Sequence, residues 1–294
     1  MNKTVYALGF FDGVHLGHQA LLRACRELAD RQGCNAGVVT FSSHPDALVF
    51  GTAPLLINTL EDRELLLRRY GMDEVILLPF DRALMTMPWQ AFFELLTTKY
   101  EACGIVCGYD FRFGNRGEGN AALLQEACAD RGIPCVVVPQ QTLEETPVSS
   151  THIRRLLENG KMEEAVRFLG HPHLLSGTVV PGRQLGRTIG IPTANLALPS
   201  GLVQPKWGVY ACKAAVDGCL YPAVTNIGTR PTVNGHHVTV EAWLLDFEGD
   251  LYGKQLTLSF YGFLRPEKTF PSLEALQEEI QKNAAQTRVF LEKT

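Results

Sequence analysis

The stretch VYALGFFDGVHLGH, Val5 to His18, decides the fold of the first half of the chain. Val5 to Phe10 is a short apolar run of strand type, and a helical pattern follows from Gly17 to Arg31. A second apolar run comes next, from Ala36 to Phe41. Strand, turn, helix and strand in that order predict a βαβ opening. The turn carries Gly9, Asp12, Gly13 and Gly17, and the glycines allow close backbone approach. A helix that starts at the end of a strand offers free N–H groups and a positive dipole end, which favour bound phosphate. His15 and His18 lie three residues apart and share one face there. Each could be a plain helix-start residue. Together with the glycines, at the carboxyl edge of the first strand, they predict a phosphate site. The string is neither a Rossmann Gly-x-Gly-x-x-Gly nor a Walker loop.

Outward from this stretch the alternation continues. A helix is expected over Glu61–Tyr70, a strand over Glu74–Phe80 and a helix with Pro88 at its first position. Then come a strand over Gly104–Gly108, a helix over Asn120–Arg131 closed by Gly132 and a strand over Cys135–Val138. Five strands with intervening helices predict a doubly wound parallel sheet. Two short helices, Thr151–Asn159 and Met162–Leu169, end at Gly160 and Gly170 and read as a connector. From Ser176 strands dominate, with β-rich runs at Val209–Val216, Val238–Phe247 and Gln255–Leu264 and turns at Asp217–Gly218 and Glu248–Gly249. The fold class expected is α/β: the parallel-sheet domain, then a small antiparallel β-barrel domain with a C-terminal helix. That helix, Ser272 to Leu291, is expected to cover the barrel with Leu273, Leu276, Ile280 and Val289.

Composition narrows the function classes. The 294 residues favour two domains, and 46% hydrophobic with 20% charged residues is ordinary globular usage. A net charge of −4 with no dense basic run argues against nucleic acid. No apolar run is long enough for a membrane span, so a cytoplasmic protein is expected. Of the eight cysteines, Cys103, Cys107, Cys135 and Cys212 sit in apolar segments and read as buried reduced thiols. The pairs His171/His173 and His236/His237 lack partner ligands nearby, which argues against structural zinc. The sequence leaves a homo-oligomer open.

A second constellation opens the β-rich half: Gly177, Gly182, Gly186, Arg187 and Gly190, then Pro192, Thr193, Ala194 and Asn195. Glycines so spaced are compatible with a backbone loop over phosphates. Thr193 and Asn195 offer hard oxygen ligands that suit a hydrated Mg2+ on ATP phosphates, although a proline turn with a capping Asn fits the same residues. Glu241 stands inside an apolar strand. It either points outward, with Val238, Val240 and Ala242 on the opposite face, or faces a site, where it can accept a hydroxyl proton.

These segments resemble two known families. Gly9 to His18 is similar to the His-x-Gly-His nucleotidyltransferase superfamily, and its longer string resembles the bacterial bifunctional riboflavin kinase/FMN adenylyltransferases, or FAD synthetases. Gly108, Asp110, Phe111, Phe113 and Gly114 resemble that family's second motif; Ser149, Ser150, Thr151, Ile153 and Arg154 resemble its third. Ser150 is suited to cap the following helix, and Arg154 is either a solvated helix charge or a guanidinium aimed at phosphate. From Gly182 through Thr193, Asn195 and Glu241 to Leu264, Arg265, Glu267, Lys268 and Phe270 the chain resembles riboflavin kinase. It departs at Ser43, Asp110 and Pro181, where the family usually carries proline, asparagine and histidine.

The resemblance implies an adenylyltransferase domain over 1–173 and a kinase domain over 174–294. It implies ATP as co-substrate with Mg2+, and riboflavin and FMN as the molecules acted on. It places ATP at Gly9, Phe10, Asp12, Gly13, His15, Gly17, His18, Ser150, Thr151 and Arg154, with flavin at Asp110, Phe111 and Arg265. In the second domain it places nucleotide at Gly182, Gly186 and Gly190, metal at Thr193 and Asn195, and a general base at Glu241. Two rivals are an adenylyl or cytidylyl transfer to another phosphate monoester, and a non-catalytic flavin-sensing β domain.

Overall fold

Thr4–Leu8 (β1) forms the centre of a five-stranded parallel sheet, and all five of its residues are buried. The structure is a computed structural model that describes residues 3–182, 186, 190–232 and 235–294. Helix α1 (Leu16–Gln32) follows β1 and buries Leu22, Cys25, Leu28 and Ala29. It ends at Gly33, which is left-handed at φ 64° and returns the chain into β2 (Asn35–Phe41). Helix α2 (Leu60–Arg69) leads to β3 (Glu74–Leu78), and a helical run from Trp89 leads to β4 (Ala102–Gly108). Pro88 lies just outside that run, as its cap and not at its first helical position. Helix α3 (Ala121–Asp130) and β5 (Cys135–Val138) complete the sheet.

The strand order is β3-β2-β1-β4-β5, all parallel. The order reverses between β1 and β4, so a crevice is expected outside the carboxyl ends of those two strands. Gly104 lets α1 lie close to the sheet: a Cβ there would come 3.0 Å from the side chains of both Leu28 and Val5.

The chain divides into two compact units, Met1–Leu55 with Arg63–Ser150 and Leu56–Asp62 with Thr151–Thr294. The second unit holds α4 (Ser150–Glu158, from its second residue on) and α5 (Met162–Leu169). The sequence reads these helices as a connector, yet Met162, Ala165, Phe168 and Leu169 are buried. The Glu163 carboxylate accepts from the Phe263 N–H at 3.2 Å, which helps seat α5 on the barrel.

The barrel is closed in the order β6-β7-β10-β9-β8-β11. Its strands are β6 (His173–Val180), β7 (Ala194–Ala197), β8 (Gly208–Val216), β9 (Cys219–Thr232), β10 (Gly235–Leu244) and β11 (Gln255–Pro266). All its pairings are antiparallel. Residues 56–62 join this unit. The Asp62 carboxylate accepts from the Ser176 N–H at 3.2 Å and from its hydroxyl, and Leu56 N–H donates to Gly201 O at 2.8 Å.

Helix α6 (Leu273–Leu291) closes the chain on the face that carries Leu276 and Ile280, with its buried part further along than expected and Val289 off that face. Leu273 and Val289 are exposed, Leu276 and Ile280 only half-buried, and Asn283, Ala284 and Thr287 are the buried residues. Ala284 packs with Val209, Val224 and Leu245 of the barrel unit, and the Phe290 ring lies over Gly262, where a Cβ would overlap it. The cysteines also divide differently. Cys107 and Cys212 are buried, whereas Cys103 and Cys135 keep partial exposure, and all eight are free thiols.

Candidate active sites

The turn after β1 is backbone under strain. Phe11 at φ 60°, Gly13 at φ 81° and Val14 at φ 41° are all left-handed, and a β-branched residue is rarely found there. Phe11, Asp12, Val14 and His15 are buried, so packing holds the conformation. His15 caps α1: its Nδ1 accepts from the His18 N–H at 3.3 Å, so the neutral ring carries its proton on Nε2. The two imidazoles stack at 3.7 Å between centroids and 15° between planes. Gly17 makes room for this, since a Cβ there would sit 3.2 Å from the His15 ring. Burial, with His15 and Arg63 beside it, holds the His18 imidazole well below the usual histidine range, so it is neutral at pH 7.

Arg63, on α2, was not singled out by sequence, and the structure puts it under this turn. The residue is 3% exposed, and its guanidinium lies 4.4 Å from the Phe10 ring centroid. It donates to the carbonyls of Phe10 at 3.0 Å and Phe41 at 2.6 Å, at the carboxyl ends of β1 and β2. Thr40 donates to the same Phe10 carbonyl at 3.0 Å. The signal was legible: Arg63 precedes Leu66 and Leu67 by three and four positions and so shares their buried helical face.

The three expected motifs do not all behave alike. The Ser150 hydroxyl donates to the Asp12 carbonyl at 2.9 Å, which joins the third motif to the first. Ser150 is itself the first helical residue, so it does not cap the helix as expected; Thr151 and Arg154 follow it on α4. Asp110 and Phe111 come directly after β4, on the other side of the order reversal from β1. Asp110 is exposed, while Phe111 stacks on Phe113 at 5.4 Å, and Phe113 packs against Phe92.

In the second unit, cross-strand register answers the question left open at Glu241. Asn195 pairs with Glu241, Glu241 with Asn226, Asn226 with Val209, and Val209 with Arg265. Directly paired residues point to one face, so one rung across five strands carries Asn195, Glu241, Asn226 and Arg265. Their chain neighbours Ala194, Leu196, Val240 and Ala242 are buried inside the barrel. Glu241 therefore points outward, as an ordinary surface glutamate would, but the outer face is where the polar row lies. A Cβ on Gly182 would overlap the Asn195 carboxamide, and one on Gly186 would overlap the Ile191 carbonyl and come 3.6 Å from Thr193 Oγ1. Gly182 thus lies against Asn195, and Gly186 lies close to Thr193. Arg187 lies outside the described residues, and Gly190 is left-handed at φ 72°.

Thr193, with Pro192 and Ala194, lines one wall of a cavity of about 360 Å³ whose other wall includes Phe247, Asp250 and Tyr252. Asn195 and Glu241 are not in that lining. Arg265 reaches α6: its Nε lies 3.1 Å from both Asn283 Oδ1 and Glu279 Oε1. Among the described residues no group of three or more His, Cys, Asp or Glu could hold a metal.

Both halves of the chain match known protein families. The family described as FAD synthetase matches residues 1–152, and the family described as riboflavin kinase matches residues 169–291. A bifunctional riboflavin kinase/FMN adenylyltransferase of Listeria monocytogenes is 35% identical over 100% of this chain and 94% of its own length. The protein of the same description from Escherichia coli is 38% identical over 97% and 92%. A solved structure titled as a macrolide-efflux protein from Streptococcus pneumoniae superposes with a TM-score of 0.88 at 31% identity, covering 97% of this chain and 94% of that one. Among the described residues no helix is long and apolar enough to cross a membrane. The chain, an FAD synthetase domain followed by a riboflavin kinase domain, belongs to the family of bifunctional riboflavin kinases/FMN adenylyltransferases.

Proposed function

We propose that the sites described above carry two consecutive displacements at phosphorus in the cytoplasm. In the second domain, the riboflavin 5′-hydroxyl attacks the γ-phosphorus of ATP as Glu241 takes its proton; ADP leaves and FMN forms. In the first domain, a phosphate oxygen of FMN attacks the α-phosphorus of a second ATP; pyrophosphate leaves and FAD forms. The observation that carries this reading is the polar rung, Asn195–Glu241–Asn226–Arg265, with Gly182 so close to Asn195 that it has no room for a Cβ.

Gly9, Phe10, Asp12, Gly13, Gly17 and Ser150 shape the first nucleotide site, to which the family resemblance adds Thr151 and Arg154. His15 and His18 face the transferred phosphate. A polyphosphate beside the stacked imidazoles favours their protonation, opposing the burial that keeps His18 neutral. Asp110 and Phe111 serve the flavin end, and Arg265 the flavin of the kinase site.

Gly182, Gly186 and Gly190 bring backbone to the phosphates of the kinase nucleotide. The Thr193 hydroxyl and Asn195 carbonyl would hold Mg2+, and these hard neutral oxygens beside Gly186 and Gly182 fit a hydrated ion. Such an ion, when bound, neutralises charge on the transferred group. The working domains are taken as 1–173 and 174–294, and neither nucleic acid nor membrane enters the scheme. Incubation of the chain with riboflavin and Mg-ATP, followed by separation of flavins, should yield FMN and then FAD. In His18→Ala FMN should accumulate, and in Glu241→Gln riboflavin should persist while supplied FMN is still converted. FAD production from riboflavin by either variant at the wild-type rate would overturn its assigned role.

A further inference from the structure

Cys34 and Cys103 lie 69 positions apart in sequence, yet their sulfurs are 3.1 Å apart. Two features of the backbone bring them together. Gly33 ends α1 in the left-handed conformation, and Cys34 follows with its N–H donating to Ala29 O at 3.0 Å. Asn35 then enters β2 opposite Thr4. On the other side of β1, β4 pairs Ala102 with Thr4 and Gly104 with Val5, so Cys103 is an extra residue in a bulge. A bulge re-aims the side chain it carries. Here it turns the Cys103 thiol across the amino end of β1 toward Cys34.

Both thiols are half-buried, in contrast to Cys25, Cys107, Cys128 and Cys212, which are closed off in the core. We propose that Cys34 and Cys103 are a thiol–disulfide modification site, oxidised to an internal disulfide by low-molecular-weight disulfides of the glutathione type.

The step balances without any other reactant. The Cys34 thiol loses its proton, and its thiolate attacks one sulfur of the oxidised glutathione, expelling one glutathione thiolate. Cys103, deprotonated in turn, attacks the Cys34 sulfur of the mixed disulfide and expels the second. Two protons leave the protein, and its two electrons reduce the external disulfide. Burial and the neighbouring Cys34 thiol push the Cys103 thiol up to about 12, which suits Cys103 to the second, intramolecular attack and not the first.

The pair sits at the amino ends of β2 and β4, whereas the nucleotide turn follows the carboxyl end of β1. Five residues of strand separate the two edges, roughly 15 Å at about 3.3 Å per residue. The disulfide therefore closes a long loop without touching the site. Its expected effect is a rise of roughly 5 °C or more in the melting temperature of the first domain, with adenylyl transfer unchanged.

The test equilibrates the full chain with defined ratios of oxidised to reduced glutathione, alkylates the remaining thiols and maps peptides by mass spectrometry. The proposal expects one cross-linked peptide pair containing Cys34 and Cys103, lighter by two hydrogens, while the other six cysteines stay alkylated. Cys34→Ser should leave Cys103 alkylated and abolish the oxidant-dependent rise in melting temperature. The proposal is overturned if Cys34 and Cys103 remain separately alkylated in excess oxidised glutathione. It is equally overturned if both end as mixed glutathione disulfides, or if a different cysteine pair closes first.

Discussion

A single buried guanidinium and a single buried imidazole carry much of what the structure adds to the sequence. Arg63 ties the ends of β1 and β2 together under the strained turn by donating to one carbonyl of each. Arg63→Met keeps the stem but leaves the Phe41 carbonyl unpaired at a cost of about 1–3 kcal/mol. FAD formation from supplied FMN should fall at least tenfold, riboflavin phosphorylation should be unchanged, and Arg63→Lys should recover part of the loss. Equal activity in Arg63→Met and wild type would remove Arg63 from the site.

His173 makes a pH-dependent prediction for the barrel. It is fully buried against Phe260, and burial lowers it to about 3. Above the unfolded value of about 6.5 the ring is neutral in both states and adds no pH dependence. Below it the unfolded chain binds a proton that the folded one does not, so stability falls by up to about 1.4 kcal/mol per pH unit down to the folded value. Urea titrations at pH 7.5 and 5.5 should show a loss of about 1 kcal/mol in wild type beyond that in His173→Leu. Identical losses in the two proteins would contradict the assignment.

At the level of elements, the glycine segment and β7 act as one unit, because Gly182 has no space for a Cβ beside Asn195. Gly182→Ala should push the segment off that side chain, weaken Mg-ATP binding to the kinase site and raise its KM at least tenfold. Adenylyl transfer and the melting temperature should stay near wild type; an unchanged kinase KM would mean that the segment does not close over the nucleotide. The elements also show what sequence could and could not reveal. The five parallel strands were legible because each is a short apolar run with a helix after it. Strand β9, fourteen residues long, was hidden by Pro222, Gly228 and Pro231, which read as breakers. The strand nevertheless pairs with β8 and β10 on its two sides, each proline giving up the one ladder bond its missing N–H would donate. Glu241 was legible as a residue but not as a direction, since alternation alone cannot say which side of a barrel bears the site. The covering face of α6 was legible at Leu276 and Ile280, which share it with the buried Asn283, Ala284 and Thr287, whereas Val289 lies off it and Leu273 is exposed in the first turn.

At the scale of the whole molecule, the chain's own packing predicts where a functional kinase fragment begins. The expected boundary at 173/174 falls after α4 and α5, but both helices belong to the barrel unit. Met162, Phe168 and Leu169 are buried there, Glu163 accepts from the Phe263 N–H, and Lys206 N–H donates to Leu157 O at 2.9 Å. A fragment of residues 174–294 loses all of these. At about 1.5–3 kcal/mol for each large apolar side chain, the loss is several kcal/mol, a large share of an ordinary domain's stability. A fragment of residues 151–294 keeps the helices and lacks only Leu56–Asp62, whose carboxylate holds Ser176. The longer fragment should therefore melt well above the shorter one and below the barrel transition of the full chain, and it should phosphorylate riboflavin but make no FAD. Supplying ATP and riboflavin to both fragments, with thermal melts alongside, separates the alternatives. Equal melting temperatures and equal kinase activity would show that α4 and α5 are a connector after all, and would return the boundary to 173/174.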